Sequence, residues 1–325
     1  MRIAIIGAGA IGSYLAGRLA AVGSDVVVIA RGRQRDAIAA EGVRITGQRP
    51  GHGRPRLSAG AREAGPCDLV VSCVKAFQIA GIVDDVRNLM GASGRWLCLI
   101  NGVPWWYGAA APPPLGDVEI AAVDPGRRIQ HAIDRARVIG SVAYLRCEVT
   151  APGVVDFTGG SGLVIGSVQG AATPLEPIAS VLSKADIATK ATDDVRSAAW
   201  NKLIGNVTLN PLSVVTGLTV DRMLSDPAHR ATITAIVRET HRLMRALGHM
   251  PDSNPEARVR AMEPLGAFRT STLQDADAGR PLEIDAIITA PVEIAALLGI
   301  DVPVMRALER QVRDHARRRG LLPNS

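Results

Sequence analysis

A lysine and two asparagines lie on one side of a predicted helix in the second half of the chain. In AAWNKLIGNVTLNP, residues 198–211, Lys202, Asn206 and Asn210 follow each other at intervals of four residues. At about 100° per residue, a helix places these three side chains on one slowly drifting polar stripe. The apolar face consists of Trp200, Leu203, Ile204 and Val207. The polar stripe is therefore either a solvated surface or the wall of a site.

Lysine is rare in this chain, and this favours the wall of a site. Of 37 basic residues only four are lysines, so ordinary surface charge is carried by arginine. The four are Lys75, Lys184, Lys190 and Lys202. Burial can lower the pKa of a lysine until it loses a proton, which does not happen to arginine in proteins. Lys202 is therefore a candidate for proton chemistry.

Composition indicates a globular protein with two domains. The chain has 325 residues, of which 47% are hydrophobic and 21% charged. The start, MRIAIIGAGAIG, has no charged leader, and no apolar run reaches the roughly 18 residues needed to span a membrane. We therefore expect a soluble, cytoplasmic protein that does not associate with a membrane.

Charge and cysteine content narrow the possible partners. The four cysteines are widely spaced and form no CxxC pair, which predicts core thiols and neither a disulfide framework nor a metal site. The net charge of +6 allows an anionic ligand. The basic C-terminal stretch ALERQVRDHARRRG has no aromatic residues between its charges, so we expect no nucleic-acid partner.

The N-terminus carries a dinucleotide-binding pattern. RIAII, residues 2–6, reads as a strand, GAGAIG follows at residues 7–12, and SYLAGRLAAVG has helical spacing. In such a turn Gly7 makes the bend, Gly9 lets the backbone approach a pyrophosphate, and Gly12 lets helix and strand pack closely. The helix N-terminus at Ala10 and Ile11 would bind the anion. The pattern predicts a Rossmann-type, doubly wound α/β domain.

The second strand indicates which nicotinamide cofactor is preferred. DVVVIA, residues 25–30, ends where an NAD enzyme usually carries an acid, but Arg31 follows instead. An arginine pairs with the 2′-phosphate that distinguishes NADP, so Arg31 favours NADP (NADPH). The alternative is that Arg31 belongs to a basic surface loop.

Two further predicted strands end at polar residues. CDLVVSCVKAF places Lys75 at the end of one strand, and RWLCLINGV places Asn101 at the end of another. Ligands of doubly wound sheets bind beyond these ends, so we expect Lys75 and Asn101 along the cofactor. Either could instead be a turn residue, Asn101 especially because Asn-Gly is a common turn signal.

The remaining pattern predicts how the two domains divide. GQRPGHGRPRLSAGAREAG, residues 47–65, reads as a loop and hairpin, and RVIGSVAYL, GVVDFTG and GLVIGSVQG read as strands completing the sheet. A helix over 175–184 and a strand at ATKAT follow. Three long helical segments then begin, at 194–222, 226–249 and 283–298. We therefore predict domains at 1–193 and 194–325, the second all helical.

One stretch in the second half has two interpretations from local evidence. In RTSTLQDADAGRPLEIDAI, residues 269–287, Ser271 and Gln274 fit a capping box, and Glu283 could be an exposed charge in a first helical turn. On that interpretation neither residue has a part in chemistry.

Together, five motifs resemble the ketopantoate reductase (2-dehydropantoate 2-reductase) family over nearly the whole chain. They are GAGAIG, VKAF at 74–77, NG at 101–102, WNKLIGNVTLNPLSVVTG at 200–217 and STLQDADAGRPLEID at 271–285. The resemblance implies an NADPH-binding Rossmann domain and a helical domain like that of 6-phosphogluconate dehydrogenase. It implies reduction of ketopantoate, a small 2-oxo acid, to pantoate in pantothenate biosynthesis. By family analogy a homodimer is possible.

The resemblance also implies residue roles. Lys202 matches the general acid, and Asn206 and Asn210 match residues that contact the substrate. Ser271 matches the residue that binds the substrate carboxylate. Glu283 matches a residue that bonds the substrate hydroxyl and orients the lysine. Lys75 and Asn101 match residues lining the cofactor and the reaction centre.

One segment departs from the family pattern. Many members carry NGxG where this chain reads NGVPWWYG, residues 101–108, followed by an extra loop at 109–134. Trp105 and Trp106 either face the substrate or anchor the loop by packing. The departure leaves two other functions open. One is a dehydrogenase of the same architecture acting on a different 2-oxo or 3-hydroxy acid, and the other is a catalytically silent NADP-binding sensor.

Overall fold

The computed structural model describes residues 1–109, 111–169 and 174–323. The chain forms two compact units: Met1–Ile100 with Ile129–Val195, and Asn101–Arg128 with Arg196–Ser325. Residues 101–128, which include most of the extra loop, thus group with the C-terminal half. The domain boundary at residues 193 and 194 stays a prediction. Ala110 of the extra loop and the last glycine of GLVIGSVQG lie outside the described residues.

The first unit is built on a sheet of ten strands. They are β1 (Arg2–Ile6), β2 (Asp25–Ile29), β3 (Val43–Gly47), β4 (Gly51–Gly53), β5 (Arg56–Ser58), β6 (Leu69–Ser72), β7 (Arg95–Cys98), β8 (Val138–Ala151), β9 (Val154–Ser167) and β10 (Thr189–Ala191). Six of them run parallel in the order β5-β2-β1-β6-β7-β8. This is the strand order 3-2-1-4-5-6 of the Rossmann fold, so the predicted fold class is confirmed.

The far side of the sheet extends this parallel core. β9 runs antiparallel to β8, while β3 and β10 each pair with β9 in parallel. The two predicted strands GVVDFTG and GLVIGSVQG are one continuous strand, β9. Glycine explains the difference: Gly160 has φ +136°, and a Cβ there would lie 2.0 Å from the Tyr144 carbonyl oxygen. The sequence break was therefore a glycine-lined stretch of strand, not a turn.

Helices cover this sheet and form most of the second unit. Those from the first half of the chain are α1 (Ala10–Ala21), α2 (Gly32–Glu41), α3 (Ala61–Ala64), α4 (Val83–Met90), α5 (Arg128–Ala132) and α6 (Glu176–Lys184). The core beneath them is made of strand and helix aliphatics such as Ile3, Leu15 and Leu97, all buried. β1, β2, α1 and α6 match the elements expected from the sequence.

The second unit is helical, as predicted. Its helices are α7 (Val195–Thr216), α8 (Val220–Ser225), α9 (Pro227–Ala246), α10 (Pro255–Arg260), α11 (Ser271–Asp277), α12 (Ala290–Leu297) and α13 (Pro303–Arg318). The predicted helix 194–222 is divided because Gly217 takes φ +73° between α7 and α8. The predicted helix 283–298 contains a π turn, Asp285–Thr289, before α12. None of the helices described has both the length and the apolar character that crossing a membrane requires.

Candidate active site

The glycine turn between β1 and α1 has the geometry that a bound pyrophosphate needs. Gly7 has φ +97°, and a Cβ there would meet Val74 Cγ1 at 2.8 Å. A Cβ on Gly12 would lie 1.9 Å from the Gly7 carbonyl oxygen, so helix and turn can cross only without it. Gly9, the residue before α1, has nothing within 4 Å of that position. The turn is thus packed on one side and open where the backbone of Ala10 and Ile11 begins the helix.

Arg31 lies beside this turn. The Gly7 N–H donates to the Ile29 carbonyl at 3.2 Å, so the end of β2 adjoins the glycine turn. Arg31 is exposed and occupies the N-cap position of α2. Gln34, in the first turn of that helix, donates to Ser13 Oγ of α1 at 3.0 Å. A cationic side chain and a helix N-terminus therefore stand next to the glycine turn, an arrangement suited to a phosphate group.

Lys75 follows the neighbouring strand. The Cys73 N–H donates to the Ile6 carbonyl at 2.8 Å, which holds the chain after β6 against the glycine turn. The ladder of β6 ends at Ser72, three residues before the predicted end, and Lys75 instead precedes a 3₁₀ turn, Ala76–Gln78. The backbone N–H of Lys75 donates to Gln78 Oε1 at 3.0 Å. The first unit thus brings the glycine turn, Arg31 and Lys75 to one edge of its parallel strands.

In the second unit, α7 carries the polar stripe predicted from sequence. Its apolar face is buried, with Trp200, Leu203, Ile204 and Val207 each no more than 3% exposed. On the polar side Lys202 and Asn206 are half-buried, and Asn210 is buried. The stripe is therefore not a solvated face.

Lys202 contacts the asparagine that follows β7 in the chain. Lys202 Nζ donates to Asn101 Oδ1 at 2.8 Å. Burial lowers the pKa of Lys202 to about 8, against the opposing effect of the Glu283 carboxylate, which raises it. Glu283 is itself buried. The sequence could not decide which effect would dominate; in the folded chain desolvation outweighs the carboxylate.

Ser271 is not the cap of its helix. Thr270 is the N-cap residue of α11, and its side chain accepts from the Leu273 N–H at 3.1 Å. The capping box proposed for Ser271 and Gln274 is therefore wrong by one residue. Ser271 is exposed, at the first position of α11. Its hydroxyl is not used for that cap, so it stays a candidate to bind a ligand.

A chain of hydroxyl groups connects this helix start to α7. Thr270 Oγ1 and Ser213 Oγ are 2.7 Å apart, and Ser213 Oγ donates to the Asn210 carbonyl at 2.8 Å. The residue before Ser271 is thereby connected to α7 at Ser213. Sequence reasoning missed Thr270 and Ser213. The only signal was a second possible cap, since Thr270 is also a cap-forming residue directly before Ser271.

The aromatic segment that departs from the family pattern is packed inside the second unit. Trp106 and Tyr107 are 0% and 2% exposed. The Arg196 guanidinium lies over both rings, at 5.5 Å and 5.1 Å from their centroids, and donates to the carbonyl oxygens of Tyr107 and Ala109. These contacts favour the anchoring interpretation for Trp106.

Tyr107 connects the same segment to α7. Its hydroxyl accepts from Trp200 Nε1 at 2.6 Å and lies 2.8 Å from His249 Nε2, while His249 Nδ1 is 2.8 Å from Ser197 Oγ. Because Trp200 can only donate, the tyrosine proton is best placed toward His249. The stretch 101–108 is thus hydrogen-bonded to the helix that carries Lys202.

No metal centre was found in the part of the chain that the structure describes. Among residues 1–109, 111–169 and 174–323, no three His, Cys, Asp or Glu side chains are grouped so that they could hold a metal ion. Cys73 and Cys98 are near each other, but burial raises the pKa of Cys73 well above the usual range of a thiol. Such a thiol stays protonated and unreactive.

Comparisons with family models and with known relatives indicate the same family. The family model described as ketopantoate reductase PanE/ApbA matches residues 3–170, and its C-terminal counterpart matches residues 194–316. A 2-dehydropantoate 2-reductase of Mesorhizobium japonicum is 36% identical over 98% of this chain and 99% of its own.

Solved structures agree with the sequence relatives. A candidate ketopantoate reductase of Ralstonia solanacearum MolK2 superimposes with a TM-score of 0.92 at 37% identity, covering 98% of this chain and 99% of its own. A D-mandelate dehydrogenase in complex with NADH and anilino(oxo)acetate has a TM-score of 0.82 at 19% identity, covering 99% and 100%. This last likeness concerns the fold alone. The sequence matches over both halves show that the chain belongs to the ketopantoate reductase family, whose members are nicotinamide-dependent oxidoreductases acting on CH–OH groups.

Proposed function

We propose that the protein reduces ketopantoate to pantoate with NADPH, and that Lys202 delivers the proton. The observation that carries this proposal is the half-buried contact between Lys202 Nζ and Asn101 Oδ1, at 2.8 Å, with the lysine pKa lowered to about 8. Reducing a 2-oxo acid creates negative charge on the former carbonyl oxygen. An ammonium group with a pKa near the working pH can both stabilise that oxygen and protonate it.

The other residues of the second unit suit the orientation of an α-oxo carboxylate. Asn101 accepts from the ammonium and so fixes the direction of the lysine side chain. The amides of Asn206 and Asn210 can bond the substrate without adding charge. The Ser271 hydroxyl, at the start of α11, can donate to the substrate carboxylate. Glu283 can accept from the product hydroxyl while holding the ammonium.

The first unit fits a dinucleotide, and Arg31 favours NADPH over NADH. The open side of Gly9 leaves room for a pyrophosphate at the first N–H groups of α1, at Ala10 and Ile11. Arg31, the N-cap of α2, can pair with a 2′-phosphate, whereas an acid at that place would repel it. Lys75 would lie along the same cofactor. When bound, NADPH supplies the hydride.

A second candidate is a dehydrogenase that acts through the same residues on another acid, either reducing a 2-oxo acid or oxidising a 3-hydroxy acid. The feature in favour is the sequence departure at residues 101–108, which read NGVPWWYG where many family members carry NGxG. Fold relatives differ in substrate too, since D-mandelate dehydrogenase shares this architecture. A silent NADP-binding sensor would have no chemical use for a desolvated lysine beside Asn101 and Glu283.

The deciding experiment measures NADPH consumption with ketopantoate and, in parallel, with pyruvate, a branched 2-oxo acid and phenylglyoxylate. The proposal predicts the highest kcat/KM for ketopantoate. A higher kcat/KM for one of the other acids would establish the second candidate, and tight NADPH binding without turnover of any acid would establish the sensor.

A further inference from the structure

The helix that follows Glu283 is interrupted by a π turn. Residues Asp285–Thr289 form the turn, and α12 continues from Ala290. A π turn holds one residue more than an α-helical turn, is rare, and occurs frequently at functional sites. It begins two residues after Glu283, which raises the question of what the extra residue achieves.

Proline chemistry explains why one carbonyl of the turn is available. In an α-helix the Ala286 carbonyl would accept from the Ala290 N–H, but that N–H donates to the Asp285 carbonyl instead. The π-helical partner of Ala286 would be residue 291, which is proline and has no N–H. Neither regular helical donor therefore reaches the Ala286 carbonyl.

The backbone just after Asn101, at Gly102 and Val103, packs against that carbonyl and donates a hydrogen bond to it. The Val103 N–H donates to the Ala286 oxygen at 2.7 Å. Gly102 lies against the same peptide: it has φ +91°, and a Cβ there would lie 2.3 Å from the Ala286 oxygen. The backbone after Asn101 is thus docked on the π turn, and Asn101 in turn accepts from Lys202.

The outer side of the turn is held by one arginine of α13. Arg313 donates to the Asp285 carboxylate and, at 2.7 Å, to Thr289 Oγ1, the first and last residues of the turn. Glu309 accepts from Arg313 Nε and from Thr289 Oγ1, each at 3.1 Å. All three charged side chains are at most half exposed, which strengthens their pairing relative to a solvated pair. Arg313 thus connects the first and last residues of the turn through its hydrogen bonds.

We propose that the π turn is a positioning device for Asn101 and Glu283, and that Pro291 and Arg313 are its positioning residues. The inference rests on the proposed function, in which Asn101, Lys202 and Glu283 act together. If the turn closed to an α-helix, one residue would be expelled and the chain before it would rotate by about 100°. Glu283 would turn away from Lys202, and the Ala286 carbonyl would return to its own helix and release Val103.

Pro291→Ala tests this proposal because a stable fold and a loss of activity are expected together. Alanine supplies the missing N–H and relieves the helix, so the variant should melt no lower than the wild type. The new N–H at residue 291 competes with the Val103 N–H for the Ala286 carbonyl, so the backbone after Asn101 should loosen. We therefore expect kcat on ketopantoate to fall about tenfold or more while KM for NADPH stays unchanged. A merely structural proline would lower Tm and kcat together, and that result would overturn the proposal.

Arg313 is tested with a conservative pair and a matched control. Arg313→Met should lower kcat as Pro291→Ala does, and Arg313→Lys should restore part of the loss because it keeps the charge without the fork. Arg310→Met, an exposed position on the same helix, is the control and should leave kcat unchanged. Equal loss in the Arg313→Met and Arg310→Met variants would overturn the role of Arg313.

A spectroscopic measurement separates this proposal from the proposed function. The chain has only four lysines, so ¹³C NMR of labelled lysine can follow the pKa of Lys202 itself, with Lys202→Arg for assignment. Moving Glu283 away should lower that pKa in Pro291→Ala and in Arg313→Met, because the carboxylate raises it in the wild type. An unchanged pKa in both variants would overturn the positioning role. If the wild type fails to reduce ketopantoate, the proposed function fails, while this titration still decides the positioning role.

Discussion

At the level of single residues, the proposed chemistry depends on the pKa of Lys202, on which burial and a carboxylate have opposite effects. Desolvation lowers the pKa of Lys202 to about 8, and the carboxylate of Glu283 raises it. The result is a group that is mostly protonated at neutral pH, as a general acid must be, and that can still release its proton. Asn101 fixes the direction of the ammonium without changing its charge.

Removing the amine should abolish most of the chemistry. In Lys202→Ala we expect kcat to fall by about 10²- to 10⁴-fold, the usual contribution of general acid catalysis. The Kd for NADPH should stay within about twofold, because the glycine turn and Arg31, the residues proposed to hold the phosphate groups, lie in the other unit. Steady-state kinetics and fluorescence titration of NADPH measure the two quantities. Lys184→Ala, an exposed lysine on α6, is the matched control.

The pH profile should follow the lysine. For the wild type, kcat should be highest below about pH 8 and fall as the pH rises through the pKa of Lys202, because the acid form is then lost. In Glu283→Gln the raising effect of the carboxylate disappears, so the pKa of Lys202 should drop and the fall should begin at a lower pH. A profile whose alkaline limb stays in place in Glu283→Gln would contradict this assignment.

Among the elements, α7 carries the proposed catalytic stripe and also contacts the aromatic stretch at residues 101–108. Trp200 lies two residues before Lys202 and donates to the Tyr107 hydroxyl, which also pairs with His249. Arg196, near the start of the helix, holds the backbone of the same segment at Tyr107 and Ala109. Hydrogen bonds at Tyr107 and Ala109 therefore attach this stretch of chain to the helix that carries the lysine.

The hydrogen bond between Trp200 and Tyr107 should contribute measurably to stability. Tyr107→Phe leaves the buried indole N–H without this acceptor, so we expect the free energy of unfolding to fall by about 1–3 kcal/mol. Urea denaturation near neutral pH measures the loss. Combining Tyr107→Phe with Trp200→Phe in a double-mutant cycle isolates the pair. Fully additive losses would mean that the two side chains do not cooperate.

At the scale of the whole molecule, the proposed function assigns recognition of the cofactor to the first unit and the proton to the second. In this proposal the choice of cofactor depends on Arg31. In Arg31→Asp we expect kcat/KM with NADPH to fall about tenfold or more, because a carboxylate replaces the cation that would pair with the 2′-phosphate. The value with NADH should change much less. Arg62→Asp, an exposed position on α3 with the same change of charge, is the control.

Much of this architecture could be predicted from the sequence because the signals are local. The glycine turn, the strand β1 before it and the apolar face of α7 each follow from spacing over a few residues. Glycines misled the prediction within β9, where a positive φ is compatible with a continuous strand.

The remaining features depend on long-range contacts. Lys202 and Asn101 are 101 positions apart in sequence, and no periodicity relates them. The π turn had one local signal: Pro291 stands inside the predicted helix 283–298, where a regular α-helix would lose a hydrogen bond. That signal indicates an irregularity, but its use by Val103 is visible only in the folded chain.

The most direct test of the central claim is the rate of NADPH consumption with ketopantoate, measured for the wild type beside Lys202→Ala. The account predicts rapid turnover by the wild type and a loss of at least about a hundredfold in the variant, with NADPH binding preserved. Unchanged turnover in Lys202→Ala would remove the lysine from the mechanism. If the wild type does not reduce ketopantoate but does reduce a different 2-oxo acid, ketopantoate is not the substrate.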